Sequence, residues 1–147
     1  MGILCFPVGI VVGLYISNGH SDDGWNNFYI YSGCASFVAP SLLWYLVVER
    51  HQPRKLYRSA LVGTLGAVLA HYFTWYFQIA FMRIFYLLTG EPVSSLGEPT
   101  LDLIQGLWGA LVFSAFSLVS LGWLTLPAGF AIGYIYEMVL RHRNTAL

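Results

Sequence analysis

Charge is the scarcest commodity in this chain. Only 10% of its 147 residues are Asp, Glu, Lys or Arg, while 57% are hydrophobic and 17% aromatic; soluble domains carry roughly 25% charged residues. A soluble domain of this size cannot clothe itself with so little polarity. A basic excess is also missing, because seven Lys and Arg are balanced by seven Asp and Glu. Nucleic acid is excluded as a partner on that ground, since binding phosphates requires a basic field.

Cysteine is nearly absent. Cys5 and Cys34 each sit inside an apolar run, and both are expected to be small buried side chains rather than a disulfide. The catalytic signatures Gly-x-Ser-x-Gly, His-Glu-x-x-His, Walker loop and Cys-x-x-Cys are all missing, and no pair of carboxylates falls within an apolar stretch. The expectation is a protein without enzymatic activity, cofactor or metal. The first residues, MGILCFPVGIVVGLYI, lack a basic n-region and an Ala-x-Ala site, so they read as a retained segment rather than a cleaved signal peptide. Cys5 comes too early for a lipobox, and Phe6 stands where a myristoylation signal wants Ser or Thr.

What the chain does have is four long apolar stretches, at about 2–17, 28–48, 59–86 and 103–140. They predict an all-α, single-domain integral membrane bundle of four transmembrane helices over residues 1–147. The first is near the minimum length for a ~30 Å hydrocarbon core and carries Gly9-x-x-x-Gly13, a close-packing pattern; Pro7 suits a helix start. The second holds Pro40, which predicts a kink, and Ser32, Ser36 and Pro40 share one face at four-residue spacing. Aromatic residues Tyr29, Tyr31, Trp44 and Tyr45 flank it as interfacial belts do. The fourth is too long for one straight crossing. One crossing kinked near Pro127 is expected, with a split into two spans at Leu126-Pro127 as the alternative. In the acidic loop before it, Pro99 reads as the first helical position and Asp102 as a first-turn residue favoured by the helix dipole. His20, Asp22 and Asp23 read as a solvated loop rather than metal ligands.

The few charges are unevenly shared. Placing both termini and the loop 49–58 in the cytoplasm puts Arg50, Arg54, Lys55, Arg58, Arg141 and Arg143 inside, with Glu49 and Glu137. Arg83 is then the one outer base, beside Asp22, Asp23, Glu91, Glu98 and Asp102. This is the positive-inside pattern, and with short loops it points to a bacterial plasma (inner) membrane.

The polar residues inside the spans are the candidate site. At ~100° per residue, His71 shares an arc of about 80° with Thr64, Ala67, Thr74 and Gln78, flanked by Gly63, Gly66 and Ala70. Leu61, Leu65, Leu69, Tyr72, Tyr76 and Ile79 make the opposite, lipid-facing side. An ionisable residue at this depth is costly and marks either function or a packing hydrogen bond. A haem would need a second axial histidine at this depth, which one chain lacks. Arg83 is rotated by about 120° from His71 and is expected to snorkel at the outer interface. On the last helix, Gly106, Gly109, Ala110, Ser114, Ser117 and Ser120 form a small-residue stripe that can meet the His71 face, its serines available to the imidazole and Gln78. Gly129-x-x-x-Gly133 precedes Glu137, which pairs with Arg141 at helical spacing or serves as a cation site.

Two functions follow as expectations. The small-residue faces (Gly9/Gly13, Gly63/Gly66/Ala70, Gly106/Ala110, Gly129/Gly133) exceed what four helices need among themselves, which suggests an accessory subunit of a membrane complex or a homo-oligomer. The alternative is a small-solute, ion or proton transporter or channel subunit, with His71, Thr74, Gln78, Ser114 and Ser117 lining a path and Glu137 as a proton or cation site at its inner mouth. Arg83 stands apart from that path, and with the outer acidic loop would serve a minor third reading, a membrane enzyme or lipid-binding protein.

Overall fold

The computed structural model of the chain describes residues 1–19, 27–50, 55–91 and 101–145. These form α1 (Gly2–Asn18), α2 (Phe28–Leu43) running on into a π-helical turn (Trp44–Glu49), α3 (Leu56–Thr89) and α4 (Leu103–Thr145), with no strand among the described residues. Three of these segments, Phe28–Glu49, Leu56–Thr89 and Leu103–Arg143, are long and apolar enough to cross a membrane. The fourth, α1, is a shorter apolar helix of 17 residues.

Local chemistry sets the ends. Asp102 precedes α4 instead of lying in its first turn: its carboxylate accepts from the backbone N–H of Ile104 at 2.5 Å and of Gln105 at 3.1 Å. It thereby satisfies donors the helix leaves open. Pro99 lies outside the described residues, as do His20, Asp22, Asp23, Arg54 and Glu98. At the other end of the loop, α3 stops at Gly90, whose φ of 73° is the left-handed conformation that glycine adopts without steric cost. Both internal prolines that sequence marks as breaks are carried inside helices. Pro40 sits within α2, and the irregularity falls after it, in the π turn. Pro127 sits within an unbroken α4, so the alternative of two separate spans is not what the chain forms.

The helices pack in sequence order, each antiparallel to the next, through backbone-to-backbone contact. A Cβ on Gly9 would lie 2.5 Å from the Ser32 carbonyl oxygen, and one on Gly13 would strike Tyr29 Cα. One on Gly66 would lie 2.9 Å from Pro40 Cβ, and one on Gly129 would lie 2.5 Å from the Gly63 carbonyl oxygen. Gly133 meets Ser59 and Ala60 in the same way, and Gly106 lies under Ile79. Ala110 is fully buried. The small-residue faces are thus consumed inside the bundle, which removes the surplus that the sequence suggested. Ile79 is likewise buried rather than lipid-facing, because it fills the space above Gly106 and Gly109. Cys5 is buried as expected; Cys34 is exposed, on the outward side of α2 beside Phe37 and Val38.

Because the order is sequential, α1 and α4 flank the α2–α3 pair and barely touch each other. The buried face of α4 consists of Gly106, Ala110, Ser114, Gly122, Gly129, Gly133 and Glu137, whereas Trp108, Phe116, Val119 and Trp123 point outward. Small inside and large apolar outside inverts the pattern of a water-soluble protein, and it is the pattern of helices whose solvent is hydrocarbon.

Candidate functional site

The site is built on the middle of α3. His71 projects from the packed side of that helix, together with the buried residues Gly66, Ala70, Thr74 and Gln78, as the helical arc predicts. Its imidazole is bonded at both nitrogens to α4: Nδ1 lies 2.6 Å from Ser117 Oγ and Nε2 2.8 Å from Thr125 Oγ1. The surrounding bonds assign the tautomer. Thr125 already donates its hydroxyl proton to the Leu121 carbonyl at 3.2 Å, so its oxygen is left to accept from an Nε2–H. Nδ1 of the neutral ring is then the acceptor of the Ser117 hydroxyl.

Beside the ring lies a cavity of about 60 Å³ walled by all four helices. A water needs some 10–15 Å³ of such volume, so the space holds a few waters or one small polar group. Its polar lining is Ser32 and Ser36 from α2, His71 and Thr74 from α3, and Ser117 and Thr125 from α4; no Asp, Glu, Lys or Arg among the described residues lines it. Five hydroxyls and an imidazole are set among apolar walls, Val8, Val12, Phe28 and Ile132 among them, so the chamber is largely apolar with a few polar groups and no charge. An ion brought there would meet no countercharge, which is expensive at low dielectric.

The chamber is bordered by Gly63 and Gly129 toward the end of the bundle that carries Lys55 and Arg141. There Gly63 and Gly129 of its lining meet backbone to backbone, and Trp44, Val48 and Val62 form an apolar cluster. Toward the opposite end it meets a wide groove of about 880 Å³ between α1 and α4, which runs to Asn18 and Gly19. Ile16 and Ser117 line both spaces.

The remaining candidates are distributed otherwise. Thr74 borders the cavity, but its hydroxyl donates to the Ala70 carbonyl at 2.7 Å. Thr64 likewise donates to the Ala60 carbonyl. Gln78 and Ser114 are buried yet outside the cavity lining, and Ser114 donates to the Leu111 carbonyl at 2.8 Å. Arg83 lies apart, its guanidinium 5.8 Å from the Tyr86 ring centre. Glu137 is also apart. It is 1% exposed, with Arg141 Nε 3.1 Å from Oε1 and the Ser59 hydroxyl donating to Oε2 at 3.4 Å. That places its carboxylate against the first turns of α3, where the helix dipole favours negative charge. Thr125 and Ser59 are the partners that sequence reasoning missed. Ser32 and Ser36 were visible as a shared face of α2 but not as part of this site. No group of three or more potential metal-binding His, Cys, Asp or Glu occurs among the described residues.

Against known proteins, no family model, curated protein or solved structure matches this chain. The class therefore rests on the fold itself: an all-helical chain with three helices long and apolar enough to span a membrane.

Proposed function

We propose that this is a non-enzymatic, multi-pass membrane protein that binds a small uncharged polar group beside His71, as a carrier of uncharged solute does. The observation that carries the reading is the mid-bundle cavity lined by five hydroxyls and a doubly bonded imidazole, without a charged side chain. Of the transport readings that the sequence allows, uncharged solute fits and a bare ion does not. The charge distribution supports an orientation with both termini and the loop 49–58 in the cytoplasm. The cavity then opens toward the outer half of a bacterial plasma membrane, with the Gly63–Gly129 contact on its inner side. α1 completes four spans, and α4 bends at Pro127, where the missing N–H frees the Trp123 carbonyl.

Thermal unfolding of the protein in nanodiscs tests this. Short-chain alcohols, amides and ketones are expected to raise the midpoint, ammonium and carboxylate salts are not, and His71→Leu abolishes the response. No shift with any uncharged compound, or an unchanged shift in His71→Leu, overturns it.

One further observation favours assembly with other membrane subunits or with a second copy. The apolar part of α4, residues 103–140, is about 57 Å long at 1.5 Å per residue. A ~30 Å hydrocarbon core accommodates only about 26 helical residues even at a 40° tilt. The remaining apolar surface needs cover outside the hydrocarbon, and a neighbouring helix supplies it. A single species of one chain per nanodisc, unchanged by mild crosslinking in native membranes, overturns this reading.

A further inference from the structure

We infer that the ligand reaches His71 sideways from the bilayer, through the groove between α1 and α4, and that it is a lipid-soluble molecule: an apolar chain ending in an uncharged hydroxyl or carbonyl. The inference rests on the proposed binding of an uncharged group at His71 and adds the route and the rest of the molecule.

Three observations lead there. First, the groove and the cavity adjoin, with Ser117 and Ile16 in the lining of both. On the inferred route, a polar group bonded beside Ser117 keeps its remaining atoms in the groove. Second, the groove is walled by Tyr15, Trp75, Phe113, Phe116 and Leu121, with no charged residue among the described lining. Aromatic and aliphatic walls with few polar groups suit an alkyl or isoprenoid chain, and about 880 Å³ is within the range of sites that bury drug-sized molecules. Third, α1 and α4 barely touch, and the large side chains around them face outward as in hydrocarbon. The groove thus faces acyl chains where the bilayer surrounds the bundle, with Asn18 and Gly19 in its lining. A molecule dissolved in the membrane enters without leaving its solvent.

The polar end is constrained by the ring. A carbonyl oxygen replaces Thr125 as acceptor of the Nε2–H, and a hydroxyl replaces Ser117 as donor to Nδ1. The first exchange leaves the Thr125 hydroxyl on the Leu121 carbonyl. In the second, the released Ser117 hydroxyl donates to the ligand oxygen, so each buried polar atom keeps a partner, which a charged headgroup does not allow.

The test uses two photoreactive diazirine probes, a long-chain alcohol carrying the diazirine near its hydroxyl and a short water-soluble alcohol, with the full-length protein in nanodiscs and labelled peptides mapped by mass spectrometry. The long-chain probe is expected to label the peptides carrying Ser117 and Ser32. Ser120→Trp, which plugs the groove from an exposed position, cuts that labelling at least tenfold, and Val119→Trp, at an exposed position outside the groove lining, does not reduce it. Helical content by circular dichroism confirms that both variants fold. Labelling of the cavity by the short probe alone, undiminished in Ser120→Trp, overturns the lateral route and leaves the uncharged site standing. Absence of cavity labelling by either probe overturns the inference together with the site on which it rests.

Discussion

His71 is held by partners whose alternatives differ, and that difference can be measured. Its bond to Thr125 is to an oxygen whose proton is already given to Leu121, so Thr125→Val removes the acceptor and leaves the Nε2–H without that partner. A double-mutant cycle between His71→Leu and Thr125→Val is expected to show coupling of about 0.5–1.5 kcal/mol, the range for a net hydrogen bond, nearer its lower end within a membrane. The same cycle between His71 and Ser114 should give a value near zero, because the Ser114 hydroxyl serves Leu111. Reversible unfolding in mixed micelles reads both. Glu137 is a different kind of residue. With Glu137 1% exposed and Arg141 half-exposed at the rim, Arg141→Ala should destabilise more than Glu137→Ala, since it leaves a buried carboxylate without its cation, while an arginine freed of the glutamate can turn to water or headgroups. Equal losses in the two variants would show that the ion pair alone matters. The histidine's depth and direction were legible in the helical arc of α3. Its partner Thr125 was not, because choosing among the hydroxyls of α4 requires knowing how that helix winds past α3.

At the scale of the element, α4 illustrates why. Its buried positions advance largely by four residues, through Gly106, Ala110 and Ser114 and again through Gly129, Gly133 and Glu137. A four-residue step on a 3.6-residue helix turns the packed face by about 40° each time. The stripe drawn from Gly106 to Ser120 on a straight helical projection therefore no longer marks the seam at Thr125 and Glu137. The glycines on this seam are not equivalent. Gly129→Ala would bring a methyl within 2.5 Å of the Gly63 carbonyl and is expected to cost about 2 kcal/mol or more by forcing the helices apart. At Gly122 the nearest atoms, Leu126 Cδ1 at 3.7 Å and Leu118 Cδ2 at 3.8 Å, belong to α4 itself. There, Gly122→Ala should be neutral or stabilise by up to about 1 kcal/mol through helix propensity. Unfolding free energies of the two single variants decide it; equal effects would mean that the Gly63–Gly129 contact is not tight.

At the scale of the whole molecule, the antiparallel packing sets Lys55 and Arg58 at the same end of the bundle as Arg141 and Arg143, with Arg83 toward the other end. In a variant with both native cysteines replaced by serine, Glu91→Cys is expected to react with a membrane-impermeant maleimide in intact cells, and Lys55→Cys only after permeabilisation. Both positions are exposed, so the reverse pattern would invert the orientation and with it the side to which the cavity opens. The sequence by itself determined the class of environment, the all-helical fold, the approximate extent of each helix and the polar face of α3, because these follow from hydropathy and a fixed 3.6-residue period. It overstated the spare packing surface, since the number of glycine faces does not reveal how closely backbones approach. Only the tertiary structure decided that those faces meet one another, that α1 and α4 stand apart, and that Ser117 and Thr125 close on opposite nitrogens of His71. Those outcomes depend on where each helix crosses its neighbour, and a periodic pattern along one helix carries no information about the position of the next.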